Sequence, residues 1–185
     1  IPTPVRIDSF ANKVTFRQSN RSHDFIEGDD EENLRRRQYI QTGSVLHQVF
    51  STIHTTADID GVLQQLQLEG VLYDDHITAE RVTSMLRKRL EHPRVADWFS
   101  DRWKLFNECS ILTYENGQMQ ERRPDRVMTD GRQWIVVDFK FGSPKDEYHD
   151  QVRQYMQLLA SMGHTDIHGY LWYVYSNVIE EVSRS

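Results

Sequence analysis

The sequence predicts an α/β domain whose N-terminal half is helical and whose C-terminal half contains a sheet. In the N-terminal half, apolar residues recur every three or four positions, the period of helices that bury one face. In the C-terminal half, aromatic and β-branched residues dominate segments separated by Asn116-Gly117 and Asp130-Gly131, two pairs that favour tight hairpin turns. A chain of 185 residues has the size of one such domain.

Four helices are expected in the N-terminal half. The first covers about 33–56 and the second about 59–69. Thr78 can cap the third helix, which stops before Pro93, and a short fourth element covers 94–101. Apolar stripes support the first and third helices: Leu46, Val49, Phe50 and Ile53 in the first, and Val82, Met85, Leu86 and Leu90 in the third.

The C-terminal half is expected to contain three antiparallel strands, one helix and one more strand. The three strands lie near 103–113, 118–129 and 133–141. The helix covers about 146–162 and is closed by a glycine. The apolar segment Ile167–Tyr175 is interpreted as a buried strand, and the tryptophans of the chain are assigned to the core.

The charge of the chain is unevenly distributed. The net charge is −6, from 22 basic and 28 acidic residues. Six acids lie between Asp24 and Glu32, so the rest of the chain is balanced at 22 against 22. We interpret residues 1–32 as an extended N-terminal segment and a solvated acidic loop; an acidic DNA mimic or partner tail is the alternative. Residues 33–185 then form a single domain, with a helical part over about 33–101 and a sheet-containing part over about 102–185.

Composition excludes several classes of protein. No apolar run reaches the roughly 18 residues of a membrane span, and the N-terminus lacks the apolar core of a signal peptide. Cys109 is the one cysteine, which excludes an internal disulfide and a cysteine-ligated iron–sulfur cluster. A reducing, cytoplasmic compartment fits best. Because the chain starts at Ile1 rather than Met, we expect a piece of a longer protein.

Three charged residues suggest where the chemistry lies. The strand Ile135–Phe141 carries Asp138 and Lys140 on one face, about 6.6 Å apart along the strand, with Phe139 on the other face. A regular hairpin would bring Asp125, on the preceding strand, close to Asp138. Two converging carboxylates repel each other unless a cation lies between them, and hard oxygen ligands suit Mg²⁺. A structural ion pair, or a strand end that emerges into solvent, is the alternative.

Four short motifs in order resemble the RecB-like branch of the PD-(D/E)xK nuclease superfamily. Gly43-Ser-Val-Leu-His47 is similar to a Gly-x-x-x-His helix motif, and Pro124-Asp125 to the first acidic motif. Asp138-Phe139-Lys140 matches the Asp-x-Lys motif, and Gln151-Val-Arg-Gln-Tyr155 the Gln-x-x-x-Tyr motif. The resemblance covers roughly 40–175 and is strongest to the C-terminal nuclease domain of RecB/AddA-type (UvrD-like) helicase–nucleases.

The resemblance implies a restriction-endonuclease-like core, a mixed central sheet flanked by helices, and a set of catalytic residues. Asp125, Asp138 and His47 would ligate a divalent ion, together with the backbone carbonyl of Phe139. Lys140 would orient or deprotonate the attacking water. Mg²⁺ is the expected ion, and Mn²⁺ is expected to substitute for it.

The resemblance also extends to supporting residues, with some departures. Gln151 and Tyr155 share one helix face, which in the family supports the site and contacts nucleic acid. Glu108 stands where many relatives carry a glutamate on the preceding strand. Arg122-Arg123 precedes Pro124, where relatives commonly have glycine and aliphatic residues, and no phosphate-binding loop of a helicase motor occurs in this chain.

These observations lead to two hypotheses of different class. The first is a Mg²⁺-dependent DNA nuclease, an exonuclease rather than an endonuclease, which forms the C-terminal part of an ATP-dependent helicase–nuclease in double-strand break repair and recombination. Its partners would be a DNA single strand or duplex end, helicase domains of the same longer chain and a second subunit, in the bacterial cytoplasm. The alternative is a catalytically silent module that binds DNA or a partner subunit. An isolated resolvase or restriction-type nuclease shares the chemistry of the first hypothesis but predicts a dimer.

Overall fold

The computed structural model describes residues 31–72 and 77–184, in which helices cover both faces of a mixed five-stranded sheet. The helices are α1 (Glu31–Thr52), α2 (Ile59–Leu68), α3 (Ala79–Leu90), α4 (Pro93–Trp98) and α5 (Asp146–Ser161). The strands are β1 (Lys104–Leu105), β2 (Ile111–Glu115), β3 (Gln118–Arg122), β4 (Arg126–Thr129), β5 (Gln133–Lys140), β6 (Asp166–Tyr173) and β7 (Val178–Val182). The α/β class with a helical N-terminal half is therefore confirmed. The predicted extended N-terminal segment and most of the predicted acidic loop fall on residues 1–30, outside the described residues.

The predicted helices occur with small shifts at their ends. α1 begins with two glutamates and ends at Thr52, four residues before the predicted end, where the chain turns into a short 3₁₀ segment at Thr56–Asp58. Thr78 caps α3 as expected, because its hydroxyl accepts a hydrogen bond from the amide of Arg81 at 3.3 Å. None of these described helices is both long and apolar enough to cross a membrane.

The sheet is more divided than the sequence predicted. Its strand order is β1-β4-β5-β6-β7, with β5 and β6 parallel and the other pairs antiparallel. β2 and β3 form a separate two-stranded sheet. The expectation of one strand near 103–113 and one near 118–129 was wrong, since each segment contains two strands. Pro124 contributes to the second break, because proline has no amide hydrogen to donate to a ladder.

A strand was also missed at the C-terminal end. β7 pairs with β6 at the edge of the sheet, at the register Leu171–Glu180. Its sequence places Glu180 and Glu181 side by side, which hides the alternation that marks a half-buried strand. Charged residues are common on such edges because they discourage pairing with another chain.

The two faces of β5 pack against different helices. Ile135, Val137 and Phe139 face a core built largely from α1 to α4, while Val136 packs in the second core with residues of α5. Trp98, Trp103 and Trp172 are fully buried, as expected, whereas Trp134 is only partly buried and packs against the second core. Asp138 lies on the α5 face, so the fold places a carboxylate between the sheet and α5.

α5 crosses β6 closely. A Cβ atom at Gly169 would lie 2.4 Å from Sδ of Met156 and 2.7 Å from a methyl group of Val152, both on α5. Only glycine allows this approach. The close crossing sets the height of α5 above the strands that carry the charged residues.

Arg126 joins the sheet to the helical half. Its side chain is buried, and its guanidinium donates hydrogen bonds to the carbonyls of Ile53 at 3.1 Å, His54 at 2.8 Å and Trp98 at 2.6 Å. Burial lowers the pKa of Arg126 to about 10. The residue directly before it is Asp125, so these bonds also hold one of the proposed ligands against α1.

Candidate active site

The hairpin of β4 and β5 brings the two predicted carboxylates together. Arg126 pairs with Val137, so the residues just beyond them, Asp125 and Asp138, lie opposite each other. The amide of Asp125 donates a hydrogen bond to Oδ1 of Asp138 at 3.3 Å, and Oδ2 of Asp125 accepts one from the amide of Phe139 at 2.8 Å. The sequence therefore predicted correctly that the hairpin brings the two carboxylates close, although four residues rather than two separate Thr129 from its partner Trp134.

His47 reaches the pair from α1. Its Nε2 lies 2.8 Å from Oδ1 of Asp125, and its ring meets those of Phe139 and Phe141 edge to face. Burial by itself lowers the pKa of His47, but the hydrogen bond and charge of Asp125 outweigh burial, and the pKa is raised above its ordinary value. Gly43, one turn earlier, is buried against Phe141 and lets α1 approach the end of β5.

Lys140 is held by three side chains. Its Nζ lies 3.0 Å from Oδ2 of Asp138, donates a hydrogen bond to Oε1 of Gln151 at 3.2 Å and sits 4.4 Å from the centre of the Tyr148 ring. The lysine side chain is 19% exposed. Asp138 and Lys140 thus share one face of β5, as the alternation of the strand predicted.

The side chains converge on an open cleft of about 400 Å³. It is lined by His47, Gln120, Arg122, Arg123, Asp125, Asp138, Phe139, Lys140, Gln151 and Tyr155. Gln151 and Tyr155 come from the same face of α5, four residues apart. Burial, followed by the negative charges of the two aspartates, raises the pKa of Tyr155, so its hydroxyl keeps its proton and remains a hydrogen-bond donor.

The two aspartates are electrostatically unequal. Burial and the charge of Asp125 raise the pKa of Asp138 to about 7, while Lys140 acts in the opposite direction. Burial also raises the pKa of Asp125, but its contacts with His47 and the amide of Phe139 outweigh burial, and the pKa of Asp125 is lowered. The negative charge of Asp125 therefore disfavours ionisation of Asp138, and a cation bound between the two carboxyl groups would remove this repulsion.

The donor atoms suit a hard divalent cation, although they are bonded to one another as they stand. Within residues 31–72 and 77–184, no group of three or more His, Cys, Asp or Glu side chains is arranged to hold a metal ion. The oxygens of Asp125 and Asp138 are instead bonded to His47, Lys140 and backbone amides. Two carboxylates and an imidazole are nevertheless ligands that Mg²⁺ or Mn²⁺ accepts. His47, Asp125 and Asp138 can therefore ligate the ion when bonds to it replace their present hydrogen bonds and ion pairs.

The fourth predicted ligand is the backbone carbonyl of Phe139, and the position of Phe139 in β5 supports this prediction. The ladder between β4 and β5 ends at the pair of Arg126 and Val137, two residues before Phe139. The amide of Phe139 points to Asp125, and the carbonyl of a strand residue points to the same side as its amide. The carbonyl of Phe139 therefore faces the edge of the strand on which Asp125 lies.

Some residues differ from the sequence-based expectation. Glu108 is exposed on the segment between β1 and β2 and is not among the residues that line the cleft, so its supporting role stays a prediction. Gln120 and Tyr148 were missed. Tyr148 precedes Gln151 by three positions on α5, so the shared helix face was a signal that could have revealed it. Gln120 carries no comparable signal, because β3 reaches the cleft only through the separate hairpin.

Comparison with known proteins agrees with this geometry. A protein-family model described as the PD-(D/E)XK nuclease superfamily matches residues 15–182, which is most of the chain. No curated protein and no solved structure gives a significant match. Nucleases of this superfamily typically use a divalent metal ion, and membership implies phosphodiester hydrolysis. Because the match covers most of the chain and the observed fold agrees with it, the chain belongs to the PD-(D/E)XK nuclease superfamily.

Proposed function

We propose that this chain is a Mg²⁺-dependent deoxyribonuclease and that residues 33–185 act as one nuclease domain. The convergence of Asp125, Asp138 and Lys140 in one cleft carries the proposal. His47, the two aspartates and the carbonyl of Phe139 would hold the ion. When bound, the ion supplies a Lewis acid that polarises the scissile phosphate and lowers the pKa of a ligating water.

Lys140 is the residue proposed to act on the water. Two of its three N–H groups are directed to Asp138 and Gln151, which fixes the direction of the third. That group can orient the attacking water and offset the charge that develops on the phosphoryl oxygens. The water oxygen then bonds to phosphorus as its proton passes to solvent in the open cleft, the bond from phosphorus to the departing nucleotide oxygen breaks, and that oxygen takes up a proton from solvent.

Other residues of the cleft are proposed to bind the substrate. Arg122 and Arg123 line it beside the aspartates and would contact phosphates. Arg123 also pairs with Glu121 at 3.1 Å, on the exposed hairpin of β2 and β3. Gln151 supports Lys140 from α5, and Gln151 and Tyr155 are both proposed to contact the nucleic acid.

The biological setting follows from the motif resemblance rather than from the cleft. The order of the four motifs supports the RecB/AddA-type branch, in which the nuclease is joined to a UvrD-like helicase of the same chain. We therefore propose exonuclease action on a single strand or duplex end in bacterial double-strand break repair, with Mn²⁺ able to replace Mg²⁺. In that setting the helicase feeds the strand to the cleft, so tight binding by this domain alone is not required.

The proposal is tested with linear and circular single-stranded DNA in Mg²⁺ or EDTA. We expect the purified chain to degrade the linear strand in Mg²⁺ and to spare the circle. Lys140→Ala should abolish cleavage, whereas Lys88→Ala, an exposed lysine of α3 outside the cleft, should leave it unchanged. Cleavage of the circle at the same rate would overturn exonuclease action, and full activity of Lys140→Ala would overturn the site.

A silent nuclease-fold module is the alternative, and intact Asp125, Asp138 and Lys140 count against it. Calorimetric titration with Mn²⁺ separates the two functions. The nuclease is expected to bind the ion and to lose binding on Asp125→Ala. Absence of binding, or binding that is indifferent to this substitution, would favour the silent module.

A further inference from the structure

Tyr39 of α1 is an exposed aromatic residue that is nevertheless held in one orientation. Its ring stacks on Tyr175 with centroids 4.1 Å apart and planes 15° apart. Its hydroxyl donates a hydrogen bond to the carbonyl of Phe141 at 2.9 Å, and the hydroxyl of Tyr175 donates one to the carbonyl of Tyr39. Yet 49% of Tyr39 remains exposed. Contacts on one side fix the ring, and the exposed remainder offers a preorganised aromatic surface.

Tyr39 lies on the face of α1 that leads to His47. The two are eight residues apart, with Gly43 midway, which corresponds to on the order of 12 Å along one helix face. Phe141 contacts this face at all three positions: it accepts the bond from Tyr39, lies 3.4 Å from the Cβ position of Gly43 and meets the ring of His47 at 5.8 Å. The surface of Tyr39 is therefore continuous with the proposed metal site.

A small cavity connects the same ring to Lys140. Its volume is about 170 Å³, and both Tyr39 and Lys140 line it, together with Gly142 and Ser143 just beyond β5. A chain that binds phosphate beside Lys140 can thus extend along this cavity to Tyr39. Arg36, exposed one turn before Tyr39 on the same face of α1, adds positive charge at the far end.

We propose that this face of α1 binds single-stranded nucleic acid next to the scissile phosphate, with a nucleobase stacked near Tyr39 and a phosphate beside Arg36. The inference rests on the proposed nuclease function. A rigid aromatic ring flanked by a guanidinium matches the alternation of base and phosphate in a single strand. A paired base in the interior of a duplex is stacked between its neighbours and cannot present its face to the ring. The surface therefore selects unpaired strands.

The test measures the affinity of a fluorescent twelve-nucleotide thymidine strand by anisotropy in Ca²⁺, with a gel to check that the strand stays intact. A strand of the same length without bases is the matched ligand. Tyr39→Ala is expected to weaken binding of the thymidine strand roughly 5- to 100-fold, the range for loss of one aromatic stacking partner, and to leave the abasic strand unaffected. Arg36→Gln should weaken both strands and reduce the salt dependence by about one charge.

Three further variants keep the test independent of folding. Tyr39→Leu keeps an apolar cover on Tyr175 but removes the ring, and should behave like Tyr39→Ala. Tyr39→Phe removes only the bond to Phe141 and should bind nearly as the unaltered chain does. Leu34→Ala changes a residue of similar exposure, 45%, on the opposite face of α1 and should have no effect.

The outcomes separate the inference from the proposed function. Unchanged affinity of both Tyr39→Ala and Tyr39→Leu, or an equal loss on the two strands, overturns the inference, as does a lack of binding by the unaltered chain. Magnesium-dependent cleavage is scored separately on the unaltered chain. Cleavage without a role for Tyr39 leaves the nuclease standing, and Tyr39-dependent binding without cleavage removes the nuclease but supports the stacking surface.

Discussion

Substituting Asp138 by asparagine is expected to stabilise the metal-free fold while it abolishes cleavage. The carboxyl of Asp138 is 7% exposed and faces Asp125, and these surroundings raise its pKa from an ordinary 3.8 to about 7. The folded chain therefore holds a proton that the unfolded chain releases between about pH 4 and pH 7. The free energy of unfolding falls as the pH rises through that window, and the whole penalty is present above pH 7. Asparagine does not titrate, so the variant does not lose this free energy of unfolding.

The magnitude follows from the width of this window. Each unit of pKa difference corresponds to about 1.4 kcal/mol, so the window of about three units gives an upper bound of about 4 kcal/mol. Asparagine also loses the ion pair with Lys140, which offsets part of the gain. We expect a net stabilisation on the order of 1–3 kcal/mol at pH 8, or roughly 2–10 °C in Tm for a domain of this size.

Urea denaturation of both proteins in EDTA, at pH 4.5 and pH 8, measures this difference. The advantage of Asp138→Asn should be large at pH 8 and small at pH 4.5. Addition of Mg²⁺ should then stabilise the unaltered chain and leave the variant unchanged, because only a protein that binds the ion gains from it. An asparagine variant that is no more stable at pH 8 than the unaltered chain would refute the electrostatic reasoning.

Three more predictions concern residues around the site. Arg126→Gln should lower the free energy of unfolding by about 2–4 kcal/mol in urea, since two buried carbonyls and the partly buried carbonyl of His54 lose their donor at roughly 1 kcal/mol or more each; a change below 1 kcal/mol would contradict this. Gly169→Ala should destabilise the fold by about 1–3 kcal/mol, because the added methyl group clashes with α5. The control Gly61→Ala, with no atom within 4 Å of its Cβ position, should be neutral or stabilising by up to about 1 kcal/mol. Equal effects of the two substitutions would contradict the close packing of α5 on β6. Gln151→Ala should slow kcat roughly 2- to 10-fold because Lys140 loses one hydrogen bond, and it should also raise KM because the proposed contact with the nucleic acid is lost; an effect on KM alone would contradict a positioning role.

The parts of the site predictable from sequence are those set by local spacing. The turn signal at Asp130-Gly131 predicts a hairpin, so the closeness of Asp125 and Asp138 could be expected from sequence. Their exact register could not, because four residues separate Thr129 from its partner Trp134 where a two-residue turn would place Val136 opposite Asp125. Alternation along β5 likewise placed Lys140 on the side of Asp138. His47 was reached only through the motif resemblance, because nothing local relates α1 to β4.

The parts that escaped prediction depend on contacts distant in the chain. Arg126 is a charged residue at the start of a strand, which in isolation suggests exposure; its burial depends on carbonyls more than 25 residues away. The separation of β2 and β3 from the main sheet was missed for the same reason, since aromatic and β-branched residues favour strands without indicating which strand they join. The spacing of apolar residues shows that an element buries one face, but it does not show which other element packs against that face.

Cleavage rates in a double-mutant cycle test the central claim most directly. The claim is that Asp125 and Asp138 serve one hydrolytic centre. The measurement is the initial rate of degradation of a labelled linear single strand in Mg²⁺ by the unaltered chain, by Asp125→Ala, by Asp138→Ala and by the double variant. Because groups that act as a unit are not additive, each single substitution should reduce cleavage to background, and the double substitution should reduce it no further. Cleavage by either single variant at the rate of the unaltered chain would contradict the claim.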